Sequence, residues 1–148
     1  MTRDVIILIA EDDAGHARLI EKNLRRAGLT NEILRFEDGQ QILDFLFQRG
    51  EGRKRAADTA CLLLLDIRMP KIDGIEVLRQ IKADPELRKI PVSMLTTTDD
   101  PREVERCHVL GCSNYIVKPV DYEKFSEAMN SLGLFISLVQ VPEIEPLR

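Results

Sequence analysis

The sequence lacks a long apolar run. No stretch of its 148 residues reaches the roughly 20 consecutive apolar residues that a membrane-spanning helix requires. Residues 1–4 also lack the basic region that opens a secretion signal, and no long apolar stretch follows them. These absences predict a cytoplasmic protein with no membrane contact.

Cysteine and histidine are scarce. The three cysteines are an odd number, and Cys61 lies inside an apolar run, which argues against a disulfide framework. Cys107 and Cys112 match no zinc-binding spacing. His16 and His108 each lack a second ligand at metal spacing, so we interpret both as surface residues of helices.

A net positive charge is absent as well. The chain has 21 Lys and Arg against 25 Asp and Glu, which gives a net charge of −4. An acidic protein gains little affinity for nucleic acid from counterion release, so we predict no direct nucleic-acid binding. The basic cluster of Arg49, Arg53, Lys54 and Arg55 lies in the Gly-rich segment 48–59, which we interpret as a long solvated loop.

What the sequence contains is an alternation of strand and helix patterns. Val5–Ala10 and residues 61–65 are continuous apolar runs, typical of strands buried on both faces of a parallel sheet. Apolar residues at helical spacing in 14–27 predict a helix that Gly28 ends. Similar patterns predict strands at 31–36, 91–96 and 114–117, and helices at 39–47, 74–83, 101–110 and from Tyr122 onward. Five strands alternating with five helices predict an α/β fold with a doubly wound parallel sheet.

Polar side chains stand at the carboxyl ends of four predicted strands. They are Glu11, Asp12 and Asp13 after the first strand, Asp66 after the third, Thr96, Thr97 and Thr98 at the fourth, and Lys118 after the fifth. In a doubly wound sheet these ends form the ligand site, so the side chains should converge. Converging carboxylates repel each other, and a hard divalent cation relieves the repulsion. Glu11, Asp12 and Asp66 therefore predict a Mg²⁺ (or Mn²⁺) site that is open to a phosphate.

An aspartate can itself be a nucleophile and form an acyl phosphate. Asp66 is the candidate for that role, because it ends the leucine-rich strand. Lys118 would supply a fixed positive charge and Thr96 a hydroxyl donor, and both would stabilise the charge on a phosphoryl group at Asp66.

The run Asp66-Ile67-Arg68-Met69-Pro70, followed by Asp73-Gly74, resembles the phosphoacceptor motif of receiver domains in two-component response regulators. Glu11-Asp12, Thr96 and Lys118-Pro119 fall where that family has its acidic pair, its hydroxyl residue and its lysine. The match runs from about residue 5 to about residue 132. The resemblance implies the flavodoxin-like receiver fold, with strand order 2-1-3-4-5, and a cognate histidine kinase as the phosphodonor.

The resemblance also implies a role for each matched residue. Asp66 is the phosphoacceptor, and Glu11, Asp12, Asp66 and the backbone carbonyl of Arg68 hold the cation. Thr96 and Lys118 contact the phosphoryl group. Thr96 and Tyr115 form a switch in which the ring turns inward when Thr96 moves. The family usually has a cis Lys118–Pro119 bond, although an X-Pro bond by itself favours trans.

Some features depart from the commonest family pattern. Glu11 replaces the frequent aspartate, and Thr97 stands where alanine or serine is usual. The long loop 48–59, the stretch 81–85 and the apolar tail resemble stand-alone regulators paired with bacterial phytochrome histidine kinases. A bacteriophytochrome is therefore a candidate for the cognate kinase.

The C-terminal helix is apolar around most of its circumference. Phe125, Met129, Leu132 and Ile136 form one stripe for the sheet, and a second apolar set is Leu134, Phe135, Leu138, Val139 and Val141. A large exposed apolar patch usually marks an interface. We therefore predict a receiver domain in residues 1–133 and a dimerisation arm in 134–148, which builds a homodimer. The alternative, a tail folded back on its own domain, remains open.

The leading functional hypothesis is a phosphorylation-gated module that modifies only itself and signals through protein contacts, either to a target or within a phosphorelay. An aspartate-nucleophile phosphatase is a second class, but it carries an acid two positions after the nucleophile, where this chain has Arg68. A flavodoxin-like carrier is disfavoured because Glu11, Asp12 and Asp13 would repel a phosphate. A pseudo-receiver would not need the complete set of acids, hydroxyl and lysine.

Overall fold

The computed structural model describes residues 5–56 and 58–145, along which five strands alternate with five helices. The strands are β1 (Val5–Ala10), β2 (Ile33–Phe36), β3 (Ala60–Leu65), β4 (Val92–Thr96) and β5 (Asn114–Val117). The helices are α1 (Ala14–Arg26), α2 (Gly39–Leu46), α3 (Gly74–Ala83), α4 (Pro101–Leu110) and α5 (Tyr122–Ile136), and a 3-10 turn spans Leu87–Lys89. The strands pair in parallel in the order β2-β1-β3-β4-β5, which confirms the predicted α/β doubly wound sheet and its strand order.

An aspartate is the N-cap residue, directly before the first helical residue, of each of the five α-helices. In each case its side chain accepts a hydrogen bond from a backbone N–H two or three residues further on; the residues are Asp13, Asp38, Asp73, Asp100 and Asp121. Such a cap satisfies a backbone donor that the first helical turn leaves without a partner. Asp13 is thus the cap of α1, whereas Glu11 and Asp12, which lie between β1 and this cap, do not cap the helix.

Apolar side chains fill both faces of the sheet. On β1, Ile7 and Ile9 point into the core under α1 and α5, whereas Leu8 and Ala10 pack in the core under α2, α3 and α4. Every residue of β3 is buried. A central strand between two helical layers must be apolar on both faces, which explains the unbroken run of leucines.

Strand register places the ends of β1 and β3 side by side. Ala10 pairs with Leu65, and the Asp66 N–H donates to the Ala10 carbonyl at 3.1 Å. The residue after each strand, Glu11 in one case and Asp66 in the other, therefore emerges at the same edge. The β4–β5 ladder ends with Thr96 opposite Val117, one residue before Lys118.

The long loop is less solvated than its composition predicts. Arg55 is buried, and its guanidinium donates to the carbonyls of Leu46 and Glu145. Arg53 lies over the Phe36 ring, 4.9 Å from its centroid. The interpretation of this basic cluster as a solvated loop is wrong for Arg55, because carbonyl oxygens distant along the chain replace its water.

The segment after α5 lies against the domain. Ile144 is buried and forms an antiparallel bridge with Thr59, just before β3. Val139 and Val141 are half-buried against the core under α1 and α5. Leu134, Phe135 and Leu138 stay exposed at 53%, 54% and 78%, and residues 146–148 of the predicted arm lie outside the described residues. In the described part of the chain, every helix is too short or too polar to span a membrane.

Candidate functional site

Three carboxylates gather at the carboxyl edge of the sheet. One ligand oxygen from each of Glu11, Asp12 and Asp66 lies within 4.8 Å of the others. Glu11 and Asp66 are buried and Asp12 is exposed, so the group is open to solvent on one side. The structure thus brings together the three acids that the strand ends predict.

Lys118 closes the buried side of this acid cluster. Its ammonium Nζ donates to Glu11 Oε1 and, at 3.2 Å, to Asp66 Oδ2. The Lys118 N–H donates to the Thr96 carbonyl at 2.7 Å, which continues the β4–β5 ladder past the end of β5. The Lys118–Pro119 peptide bond is trans, so the cis bond implied by the resemblance is wrong here, and the ordinary preference of X-Pro bonds prevails.

Burial decides the electrostatics of the acid cluster. Loss of solvent raises the pKa of Glu11 to about 7; the hydrogen bond and charge of Lys118 oppose this rise, and the nearby Asp66 adds to it. One ammonium does not balance three carboxylates. A hard divalent cation with oxygen ligands would supply the missing positive charge, and these residues fit such an ion.

The Thr96 hydroxyl has an unused hydrogen-bonding capacity. Thr96 is completely buried, and its Oγ1 has no hydrogen-bond partner within the described residues. A buried hydroxyl without a partner is unfavourable by about 1–3 kcal/mol. Such groups are therefore rare, and a common explanation is that they bind a ligand. Thr96 ends β4 beside β3, and an oxygen of a group held on Asp66 would supply the partner.

A tight turn holds the backbone around Asp66. The Gly74 N–H donates to the Ile67 carbonyl at 2.8 Å, and a Cβ at Gly74 would stand 2.1 Å from the Asp66 carbonyl oxygen. Only glycine allows this approach, which explains the Asp73-Gly74 part of the motif. The Arg68 N–H lies 3.4 Å from Asp66 Oδ1, so the Arg68 backbone is beside the acceptor; ligation by its carbonyl stays a prediction.

Neither His16 nor Arg35 is among the residues that the sequence predicts at this site. His16, interpreted above as an isolated surface residue, has its Nδ1 3.3 Å from Lys118 Nζ, and its ring stacks on Phe125. The Arg35 guanidinium on β2 donates to the Glu11 carbonyl at 3.0 and 3.1 Å and to the Asp12 carbonyl at 2.9 Å. The only signal for Arg35 was a basic residue within the short apolar strand.

Tyr115, the predicted switch residue, lies half-buried on β5. Its hydroxyl donates to the Thr98 carbonyl at 2.8 Å, so it contacts the segment that follows Thr96. Burial raises the pKa of Tyr115 to about 12, and the nearby Cys107 and Glu103 add to the rise. The hydroxyl therefore acts as a neutral donor at physiological pH.

Comparison with known proteins gives the same family as the motif. The family model "Response regulator receiver domain" matches residues 7–130. The crystal structure of a response regulator receiver domain from Rhodospirillum rubrum is 51% identical, with a TM-score of 0.88, over 95% of this chain and 99% of that one.

Two of the similar structures come from cyanobacterial regulators. The Mn²⁺-bound form of response regulator Rcp1, a protein of Synechocystis, is 30% identical with a TM-score of 0.82 over 93% of this chain and 98% of that one. The phosphorylated cyanobacterial phytochrome response regulator RcpA is 31% identical with a TM-score of 0.81 over 95% and 99%. The chain belongs to the receiver domain family of two-component response regulators, and within it resembles the phytochrome-associated regulators.

Proposed function

We propose that the chain accepts a phosphoryl group on Asp66 from a phosphohistidine of its cognate kinase and signals through protein contacts. The observation that carries the proposal is the buried contact of Lys118 with both Asp66 and Glu11, together with a buried Thr96 hydroxyl that has no hydrogen-bond partner among the described residues. An ion pair that served only the fold would need no buried hydroxyl beside it with unused hydrogen-bonding capacity. Hydrolysis of the chain's own phosphoryl group, without turnover of other substrates, completes the activity.

The transfer needs an oxygen nucleophile and a balance of charge. A carboxylate oxygen of Asp66 attacks the phosphorus; the new P–O bond forms as the P–N bond breaks, and the departing imidazole takes a proton. Lys118, which lies 3.2 Å from Asp66 Oδ2, stabilises the added negative charge. Thr96 donates its hydroxyl to a phosphoryl oxygen, and Tyr115 follows the movement of the Thr96–Thr98 segment.

A divalent cation, Mg²⁺ or Mn²⁺, belongs to this reaction. Glu11, Asp12, Asp66 and the Arg68 carbonyl would hold it. When bound, it would neutralise the acids and the phosphoryl oxygens. The donor set consists of oxygens, as hard cations prefer, and the similar Rcp1 structure is a Mn²⁺-bound form.

The test is incubation with acetyl phosphate and Mg²⁺, followed by mass measurement of the intact chain. We expect one added phosphoryl group in the wild type and none in Asp66→Asn. Asp99→Asn, at an exposed aspartate between β4 and α4, is the matched control and should be modified like the wild type. Equal modification of Asp66→Asn would contradict the proposal, and so would modification that is unchanged in excess chelator.

The partners are proposed from the same set of observations. A histidine kinase donates the phosphoryl group, and a bacteriophytochrome is the candidate, because several similar solved structures are phytochrome regulators. A target protein or a further phosphotransfer protein receives the output.

A second copy of the chain is the remaining proposed partner. It would dock on the exposed face of Leu134, Phe135 and Leu138, with the half-buried Val139 and Val141 at its margin. Because Ile136 and Ile144 are part of the core, truncation would also damage the fold. We therefore expect the double substitution Phe135→Glu and Leu138→Glu to halve the sedimentation mass, whereas Val109→Glu on α4 should leave it unchanged. An unaltered mass in the double variant would rule out this interface.

A further inference from the structure

Glu103, in the first turn of α4, bridges the two loops that flank the phosphoacceptor. Its Oε1 accepts from the Arg68 guanidinium at 2.9 Å, and its Oε2 accepts from the Thr98 hydroxyl at 2.8 Å. Arg68 follows Asp66 by two residues, and Thr98 follows Thr96 by two. One carboxylate therefore connects the β3–α3 loop, the β4–α4 loop and helix α4.

The position of Arg68 allows its guanidinium to bind either the Glu103 carboxylate or a phosphoryl group on Asp66. Its backbone N–H lies 3.4 Å from Asp66 Oδ1, so its side chain starts beside the acceptor. The side chain is 64% exposed and borders a cleft of about 230 Å³ that Glu103 also borders, so it has room to move. A phosphoryl group presents several charged oxygens, and a guanidinium binds such a group in a bidentate manner.

We infer that Glu103 is a positioning residue that competes with the phosphoryl group on Asp66 for the Arg68 guanidinium. In the unmodified chain, Glu103 holds Arg68 against α4. In the phosphorylated chain, Arg68 turns to the phosphoryl oxygens, and α4 loses its ionic link to the β3–α3 loop. The inference rests on the proposed function, because it needs a phosphoryl group at Asp66.

The test is a double-mutant cycle of Glu103→Gln and Arg68→Met. It measures the affinity of the chain for beryllofluoride, an analogue of the phosphoryl group, in saturating Mg²⁺ by ¹⁹F NMR. The glutamine amide keeps an oxygen for the Thr98 hydroxyl and removes only the charge that retains Arg68. Because exposed ion pairs are weak, we expect Glu103→Gln to tighten beryllofluoride binding about threefold. Arg68→Met should weaken binding.

The coupling between the two changes is the deciding result. In the Arg68→Met background, Glu103→Gln should have no effect, because no guanidinium is left to release. Glu105→Gln, an exposed glutamate of the same helix, should leave the affinity unchanged. An unchanged affinity in Glu103→Gln, or an equal gain in both backgrounds, would overturn the competition. A wild type that binds no beryllofluoride would instead refute phosphorylation at Asp66, so the two failures are distinguishable.

Discussion

Two of the regions in which the described chain buries charge are the acid cluster at the carboxyl edge of the sheet and Arg55 beneath the long loop. In each region burial favours the neutral form of a charged side chain: it raises the pKa of Glu11 and lowers the pKa of the Arg55 guanidinium. The partners differ. Lys118 faces an excess of carboxylates, whereas Arg55 donates to the main-chain carbonyls of Leu46 and Glu145.

This difference separates a ligand site from a structural contact. The acid cluster has unbalanced negative charge and one open side, so a mobile cation and an anion can add to it. Arg55 is buried between the loop and the segment after α5 and ties the two together. A buried charge with a shifted pKa is therefore only a candidate for function. Whether it belongs to a ligand site or to a structural contact depends on whether neighbouring groups balance its charge and fill its hydrogen bonds.

Loss of Lys118 should have the largest effect of the changes that test this comparison. Lys118→Met leaves Glu11 and Asp66 buried without a cation, and we expect the free energy of unfolding to fall by about 3 kcal/mol in chelator at pH 8. Mg²⁺ should restore part of the loss, because it replaces the missing charge. Urea denaturation with and without Mg²⁺ measures both effects. Lys124→Met on the surface is the control, and a loss that Mg²⁺ leaves unchanged would argue against a cation site.

Arg55→Met should be the next largest change. The substitution leaves the Leu46 and Glu145 carbonyls without their donor, which should lower the free energy of unfolding by about 2 kcal/mol. Mg²⁺ should not restore it, since no carboxylate is released. Lys54→Met, at the exposed neighbouring position, should stay within about 0.5 kcal/mol of the wild type. If Mg²⁺ restored the free energy of unfolding of Arg55→Met, the distinction between a cation site at the acid cluster and a structural contact at Arg55 would be wrong.

Addition of Mg²⁺ to the wild type should have a smaller effect. Binding to the folded chain alone should raise the free energy of unfolding by about 1.4 kcal/mol when Mg²⁺ is about ten times its dissociation constant. Asp66→Asn should lose most of this gain, whereas Asp99→Asn should keep it. Thermal denaturation at several Mg²⁺ concentrations measures the effect, and equal gains in both variants would place the cation elsewhere.

Thr96→Val should change stability least. The hydroxyl that it removes is buried and has no hydrogen-bond partner in the part of the chain that the structure describes, so the free energy of unfolding should stay within about 0.5 kcal/mol of the wild type or rise. Phosphorylation by acetyl phosphate should nevertheless become slower, because the donor for the phosphoryl oxygen is lost. A large loss of stability would show that the hydroxyl serves the fold instead of the site.

Local pattern predicted most elements well, including the edge strand β5, and the other edge strand, β2, less well. Residues 5–10 in β1 and 74–83 in α3 have the predicted bounds, because long apolar runs and aspartate caps leave little choice. For β2 we expected residues 31–36, yet the strand begins at Ile33, because pairing with β1 begins there, opposite Ile7.

The sequence by itself determined the strand and helix order and the set of acids, hydroxyl and lysine at the strand ends. Those features depend on short-range periodicity and on residues that parallel strands must deliver to one edge. Tertiary structure alone decided the roles of Arg35, Arg55, His16 and Glu103, whose partners lie elsewhere in the chain. Long polar side chains bind whatever acceptor the packed fold brings within reach, and no local pattern encodes that choice.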